Sequence, residues 1–292
     1  MTLLRTLAAV LAFGAATVAS ADSIVVGGKN FTEQQLLAEM TTQLLRAKGF
    51  EVDKRAGMGS AVLRAAQENG QIDLYWEYTG TSLINYNDVK ERMSPEETYQ
   101  TVKEMDAEKG LTWLAPSEAN NTYAFAMQRG QAEEMGIDTL SDLAAAVNDD
   151  KDLVFASNAE FYARDDGLRP LQQAYGFRFP RANIKRMDSG LTYQALKEDQ
   201  VDVALVFATD GRIKAFDFKV LKDDKNFFPA YAITPVVRQA TLEEHPELAD
   251  LLNQLSAELD DETMAALNAQ VDVEKTSIEA VAENFLQEQG LI

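Results

Sequence analysis

Cysteine is absent from this 292-residue sequence, and histidine occurs once, as His245. The first absence removes disulfides, thiolate nucleophiles and cysteine-ligated metals; the second removes zinc sites built on paired imidazoles. His245 directly precedes Pro246 in a polar, acidic stretch, where a surface position at a helix start is expected. Ser-His-Asp chemistry would have to use it, and no G-x-S-x-G elbow accompanies it. P-loop and G-x-G-x-x-G nucleotide motifs are missing as well. Positive charge is scarce: 27 Lys and Arg stand against 47 Asp and Glu, a formal net charge of −20. That surplus repels nucleic acid and anionic membrane and favours solubility. Among so many acids, the pairs Asp165-Asp166 and Asp223-Asp224 read as solvated turns rather than as a metal or glycosidase centre. No cofactor and no metal are expected.

Long apolar runs are also missing, except at the start. Met1 to Ala21 carries one early cation, Arg5, then an uncharged Ala-, Leu- and Val-rich run ending in Ala19-Ser20-Ala21. This is the layout of a secretory signal peptide, short for a membrane span and without a stop-transfer cluster. The expected mature chain, Asp22 to Ile292, is exported and soluble, long enough for one large domain or two lobes. Without cysteine it must hold together by packing, which an apolar content of 46% allows.

Short apolar runs alternate with amphipathic stretches, the pattern of an α/β protein. Ser23 to Gly27 reads as a strand ending at Gly27-Gly28. A helix follows over about 32–48, with Thr32 and Gln35 at capping-box spacing and Gly49 as its stop. Strand, helix and strand are expected near 50–55, 60–69 and 72–76, and Ser94-Pro95 with Glu97 opens a further helix ended by Gly110. The rhythm restarts after Tyr123: helix 141–147, strand 153–156, helix 168–175, helix 191–198 and strand 201–207. Three acidic helices cover the C-terminus from Glu244 onward. No linker separates the blocks, so two lobes would have to exchange the chain on strands. One internal echo supports two lobes of similar build: Ser60 to Asp73 aligns without gaps on Ser189 to Asp202, and at the same offset Tyr78 falls on Phe207. Each half then puts an aromatic at the carboxyl end of a strand, where open α/β sheets bind ligands.

The remaining informative residues are aromatics and cations in loops beside small residues. They lie in Gly28-Lys29-Asn30-Phe31-Thr32-Glu33-Gln34, Glu77-Tyr78-Thr79-Gly80-Thr81, Asn121-Thr122-Tyr123, Arg164-Asp165-Asp166-Gly167, Thr209-Asp210-Gly211-Arg212-Ile213 and the Tyr231 region. Apart from Asn121-Thr122-Tyr123, which begins a second strand block, these stretches in order, across essentially the whole mature chain, resemble the glycine betaine/choline-binding proteins of osmoprotectant ABC importers. The resemblance implies a type II periplasmic binding protein with two α/β lobes and a ligand cleft between them. Residues 22–122 would begin the first lobe, 123–230 form the second, and 231–292 return to the first. It implies an aromatic box of Tyr78, Tyr123, Phe207 and Tyr231 around a trimethylammonium. Lys29, Thr81 and Arg164 would hold a carboxylate, with Asn121 beside the box offering a backbone carbonyl. The implied partners are a small quaternary-ammonium ligand and an ABC permease with its ATPase. A monomer is expected by default, since nothing in the sequence argues for an oligomer, and the signal peptide places it in the periplasm.

The chemistry of such a ligand fits these residue types independently. A quaternary ammonium has no N–H to donate, so aromatic faces must recognise it, at up to about 2 kcal/mol per desolvated contact. A carboxylate needs charge-assisted donors, which Arg164 can supply bidentately and Lys29 near a helix start can supplement. Phe207 departs from the family's usual tyrosine, keeping a π face without a hydroxyl; Gly28 replaces a common serine, and Trp76 is unusual and suits core. The competing readings are a carrier of choline or another small zwitterion or amino acid on the same fold, a secreted enzyme on this scaffold, and a sensory or structural module.

Overall fold

The computed structural model describes residues 23–292; the segment read as a signal peptide lies outside the described residues. The first sheet contains β1 (Ile24–Lys29), β2 (Val52–Met58), β3 (Leu74–Tyr78), β4 (Leu111–Trp113) and a late strand, β10 (Ile233–Arg238). The second contains β5 (Tyr123–Gln128), β6 (Phe155–Ser157), β7 (Ile184–Arg186), β8 (Val203–Phe207) and β9 (Phe218–Leu221). Their orders, β2-β1-β3-β10-β4 and β7-β6-β8-β5-β9, follow one plan. Three parallel strands come first. Next to them lies an antiparallel strand that has just arrived from the other lobe, and outside it an edge strand antiparallel to that one. This is the two-lobed α/β architecture expected.

The internal echo is a structural repeat. Helices Ser60–Glu68 and Ser189–Lys197 have 9 residues each, and the strands they lead into, β3 and β8, have 5 each. Matching turn positions are left-handed, Gly70 at φ 74° and Asp199 at φ 54°. Asp73 accepts from the backbone N–H of Val25 and Asp202 from that of Val154, both at 2.8 Å, so each acid fastens its strand entry to the neighbouring chain. These acids also explain why β3 and β8 start at Leu74 and Val203, two residues later than the apolar runs suggest. Residues 72–73 and 201–202 still belong to the turn.

Other boundaries shift for physical reasons. β1 runs through Gly27 and Gly28 to Lys29 instead of ending at the glycines. A Cβ at Gly27 would lie 2.6 Å from Leu63, so the glycine admits a closely packed helix. The helix Thr32–Ala47 is preceded by Phe31 with no side-chain cap, and the Thr32 hydroxyl donates instead to Asp272 at 2.9 Å. By contrast Ser94 and Glu97 form the expected capping box on Pro95–Ala107. The lobes exchange the chain on irregular extended segments, 114–122 and 222–232, rather than on full strands; the single bridge between Asn120 and Ala232 ties the two crossings together.

The main hydrophobic core is one cluster that runs through both lobes. Leu36, Leu37, Met40 and Leu44 of the helix Thr32–Ala47 are buried with Trp76, whose indole N–H donates to Thr41 at 2.8 Å. Trp76 is thus core, as its setting in the sequence suggests. The C-terminal helices Glu247–Ala257, Asp261–Asp272 and Ile278–Glu288 pack against the same helix. In the second lobe Phe125, Phe155 and Phe179 stack at centroid distances of 4.5 and 5.2 Å. Burial of each such side chain is worth roughly 1.5–3 kcal/mol, so packing substitutes for disulfides. Among the described residues no helix is long and apolar enough to cross a membrane.

Candidate functional site

Because β1, β3 and β8 all end toward the same crevice, their terminal residues Lys29, Tyr78 and Phe207 meet there. The crossings bring two more: Tyr123 opens β5 directly opposite Phe207, and Tyr231 comes two residues before Ile233, which faces Tyr78 across β10 and β3. Thr81 follows β3, and Arg164 follows the short helix Ala159–Ala163. Two glycines make these loops possible. A Cβ at Gly80 would lie 2.7 Å from the Ala230 carbonyl, and one at Gly167 only 1.9 Å from that of Phe161. The result is one cavity of about 630 Å³ lined by Lys29, Tyr78, Thr81, Asn121, Tyr123, Arg164, Phe207 and Tyr231, all eight residues singled out in the sequence.

The aromatic wall has five members, not four. Phe31 stacks on Phe207 (5.6 Å, 10°) and on Tyr78 (6.2 Å, 28°). Tyr123 meets Phe207 at 5.3 Å and Tyr231 edge-on at 5.5 Å. The rings thus run Tyr78, Phe31, Phe207, Tyr123, Tyr231 around the cavity. Tyr78, Tyr123 and Tyr231 are buried, while Phe31 and Phe207 are half-buried. Phe31 was written in the Lys29 motif, but a lone phenylalanine before a helix looks like packing until its neighbours are known.

Of the cations that line the cavity, Lys185 and Arg186 are exposed, while Lys29 and Arg164 are compensated yet not exhausted. Lys29 is 2% exposed and donates to Glu77 at 2.5 Å. Burial lowers its pKa, and the Glu77 carboxylate opposes that shift. Among the described residues Nζ has no second protein acceptor, so two of its three protons are unspent. Arg164 gives Nε and Nη2 to Asp166 at 2.7 and 2.6 Å and Nη2 again to Thr81 at 3.1 Å, while Nη1 has no acceptor among the described residues. Burial alone would raise the Asp166 pKa, but the Arg164 pair and the Tyr231 hydroxyl hold it below its ordinary value. Asp166, read above as half of a solvated turn, is therefore 2% exposed and central. It fixes Arg164 and accepts from Tyr231 at 2.6 Å. Adjacent Asp165 is exposed and pairs with Lys90, so only that residue keeps the earlier reading.

Behind Tyr78 lies a further buried acid, which stands in the Lys29 stretch without a role readable from the sequence. Glu33 is 3% exposed. Its Oε1 accepts from the Tyr78 hydroxyl at 2.7 Å and the Asn121 amide at 2.6 Å; Oε2 accepts from the Thr209 hydroxyl at 2.5 Å and the Asn268 amide at 3.4 Å. Burial raises its pKa while these four donors oppose the rise. The Asn121 side chain is thereby spent on Glu33, which leaves its backbone carbonyl as the group it could offer a ligand. The cavity also extends past the predicted residues to Ser60, Asn158 and Glu160. There the Glu160 carboxylate of the second lobe accepts from the Ser60 N–H and hydroxyl of the first at 3.0 and 2.8 Å. Gly28 contributes nothing to the crevice: a Cβ there would point at Ala38, Gln34 and Ala56. His245 lies between two helices and does not line the cavity.

A cavity walled by aromatic faces at one part and by incompletely used cations at another, shared between two similar lobes, is the arrangement a zwitterion carrier needs. Residues 22–288 match the family described as the substrate binding domain of ABC-type glycine betaine transport systems. The chain belongs to that family. It is 46% identical to a glycine-betaine-binding protein of Pseudomonas aeruginosa over 284 residues, covering 95% of this chain and 91% of that one. It is 35% identical to the ergothioneine transport permease/ergothioneine binding protein EgtU of Helicobacter pylori; the match covers 92% of this chain and 48% of that larger protein. Among solved structures, a glycine betaine/carnitine/choline ABC transporter protein superposes with a TM-score of 0.74 at 30% identity, over 92% of this chain and 99% of that one. For this member of the glycine betaine transport family, the two-lobed fold and the substrate-binding role are those read from its sequence.

Proposed function

We propose that this protein captures glycine betaine, or a closely related quaternary-ammonium compound, in the cleft and delivers it to an ABC permease and its ATPase. Five aromatic rings and two cations with unspent protons lining a single cavity carry this reading. The rings hold the trimethylammonium, which cannot accept or donate a hydrogen bond; Lys29, Thr81 and Arg164 Nη1 hold the carboxylate. Micromolar affinity requires about 8 kcal/mol, within reach of one box and one clamp. Since Tyr78 and Lys29 belong to one sheet and Tyr123, Phe207 and Arg164 to the other lobe, ligand favours closure by touching both. We read 22–122 and 231–292 as one lobe and 123–230 as the other, in line with sheet membership, and the exported chain as a periplasmic monomer. The role is capture without turnover.

Titration calorimetry with glycine betaine and choline tests the clamp. Arg164→Ala should weaken glycine betaine about 100-fold, the loss of a desolvated charge-assisted pair, while choline, which has no carboxylate, changes less than about threefold. Retained choline binding certifies the fold; equal loss for both ligands would overturn the role given to Arg164. The reach of the cavity to Ser60, Asn158 and Glu160 favours, as a second reading, a betaine bearing a further polar substituent, since the space exceeds what glycine betaine fills. A larger trimethylated amino acid in the same titration, binding tighter than glycine betaine, would select it.

A further inference from the structure

The charges around the aromatic wall do not cancel. Lys29 is matched by Glu77 and Arg164 by Asp166, each pair in direct contact. Glu33 has no cationic partner within salt-bridge distance among the described residues; its four partners are two hydroxyls and two amides. These four donors fill the two oxygens. Gln34 donates to the Tyr78 hydroxyl at 3.1 Å, which commits the phenol proton to Glu33. Three of the four contacts, the two amides and the committed phenol, can only be donated to Glu33, which is the pattern of an ionised carboxylate; the Thr209 hydroxyl is the one partner that can also accept.

We propose that Glu33 is the counter-charge of the ligand's quaternary ammonium, acting through the Tyr78 ring. The proposal rests on the aromatic box reading and gives that box its charge. A phenol donating to a full negative charge carries a more negative ring face, and the carboxylate's own field reaches the cavity through poorly polarisable surroundings. The need for such a charge is local. Lys29 Nζ already stands 4.8 Å from the Tyr78 centroid and Arg164 lies 5.3 Å from that of Tyr123. A second cation entering beside them meets repulsion that Glu77 and Asp166 only balance. Among the described residues Glu160, at the Ser60 end of the cavity, also lacks a cationic partner. Glu33, behind the Tyr78 ring, supplies the attraction at that ring, and because it also reaches Asn121, Thr209 and Asn268 it holds that charge in place from several chain segments. It is a positioning residue: the ligand touches Tyr78, not Glu33.

The test compares choline with its uncharged carbon isostere, 3,3-dimethylbutan-1-ol, by calorimetry on the full mature protein. A merely structural residue changes both affinities alike, whereas a counter-charge changes their ratio. Glu33→Gln keeps the shape and removes the charge. Unprotected, a unit charge about 8 Å away at an effective dielectric of about 20 is worth well over tenfold in affinity, so the choline-to-isostere ratio should fall about tenfold. Tyr78→Phe, which removes the phenol relay and leaves the carboxylate, should lower the ratio about threefold and serves as the deciding variant if Glu33→Gln does not fold. A ratio unchanged in both variants, against a wild type that prefers choline, would overturn the role of Glu33 and leave the box intact. A wild type without any preference for choline over the isostere would overturn the box itself.

Discussion

Tyr78 and Phe207 occupy the same place in two copies of one plan. Each is the last residue of a five-residue strand, each follows a nine-residue helix, and each faces the cleft. Their surroundings nevertheless differ in kind. Tyr78 sits in a charged nest: its hydroxyl reaches Glu33, its N–H takes Glu77 at 2.8 Å, and Lys29 lies over its ring. Phe207 carries no hydroxyl, its N–H is held by the neutral Tyr193 hydroxyl at 2.8 Å, and its ring is covered by Phe31 and Tyr123. A repeated scaffold thus delivers equivalent positions, and the side chains around them differ: the strand end at Tyr78 is backed by charge, that at Phe207 by apolar surface, while the second lobe's charge comes from Arg164 on a separate loop.

The largest effect that tests this division comes from truncating each ring. Tyr78→Ala should weaken glycine betaine about 100-fold, since it removes a buried π face and strands the Glu33 carboxylate. Phe207→Ala should cost about tenfold, because the ring is half-buried and Phe31 remains beside it. Calorimetry giving equal losses, or the greater loss at Phe207, would break the asymmetry.

The repeat itself is open to a smaller test on stability. Asp73→Ala and Asp202→Ala each remove a charge-assisted bond to a backbone N–H at the threshold of a strand, about 1–3 kcal/mol in urea unfolding. The loss should be greater at Asp73, by about 1 kcal/mol, since Arg238 and Thr241 also reach it at 3.3 and 3.1 Å, while Asp202 gains only the Gln131 amide at 2.6 Å. A larger loss at Asp202 would mean that the second lobe, not the first, depends on this staple.

What could be read from the sequence follows the same line between local and long-range causes. The capped helix after Ser94, the echo of Ser60–Asp73 in Ser189–Asp202 and the strand-end aromatics are local patterns, and all were legible. The eight residues named for the site do line one cavity. What escaped was every feature decided by burial. Asp166 belongs to an acidic pair that looks solvated, and only the packing of Tyr231 and Arg164 against it makes it a buried anchor. Glu33 stands in the first turn of a helix, where an acid is unremarked because the helix dipole favours it. Its partners Asn121, Thr209 and Asn268 are far away along the chain. Phe31 became a wall of the cavity through Phe207, again a contact across lobes.

The smallest expected effect is the sharpest. Phe207→Tyr adds a hydroxyl, and Phe207 borders not only the main cavity but also a neighbouring chamber of about 330 Å³ lined by polar groups, so the added oxygen has room. The buried and half-buried carboxylates that line this chamber are already engaged: Glu33 by its four donors, Asp210 by Arg212 at 2.9 and 2.5 Å, and Asp272 by the Thr32 hydroxyl at 2.9 Å and Arg212 at 3.1 Å. The new hydroxyl should therefore change glycine betaine affinity by less than about threefold, under 0.7 kcal/mol by the same conversion, roughly. The same atom removed at Tyr78 costs binding and added at Phe207 gains little, if ring charge comes from the acid behind the phenol. A gain of about tenfold or more from Phe207→Tyr would instead mean that hydroxyls matter at these strand ends for their own contacts, and that the two lobes are more alike than their surroundings suggest.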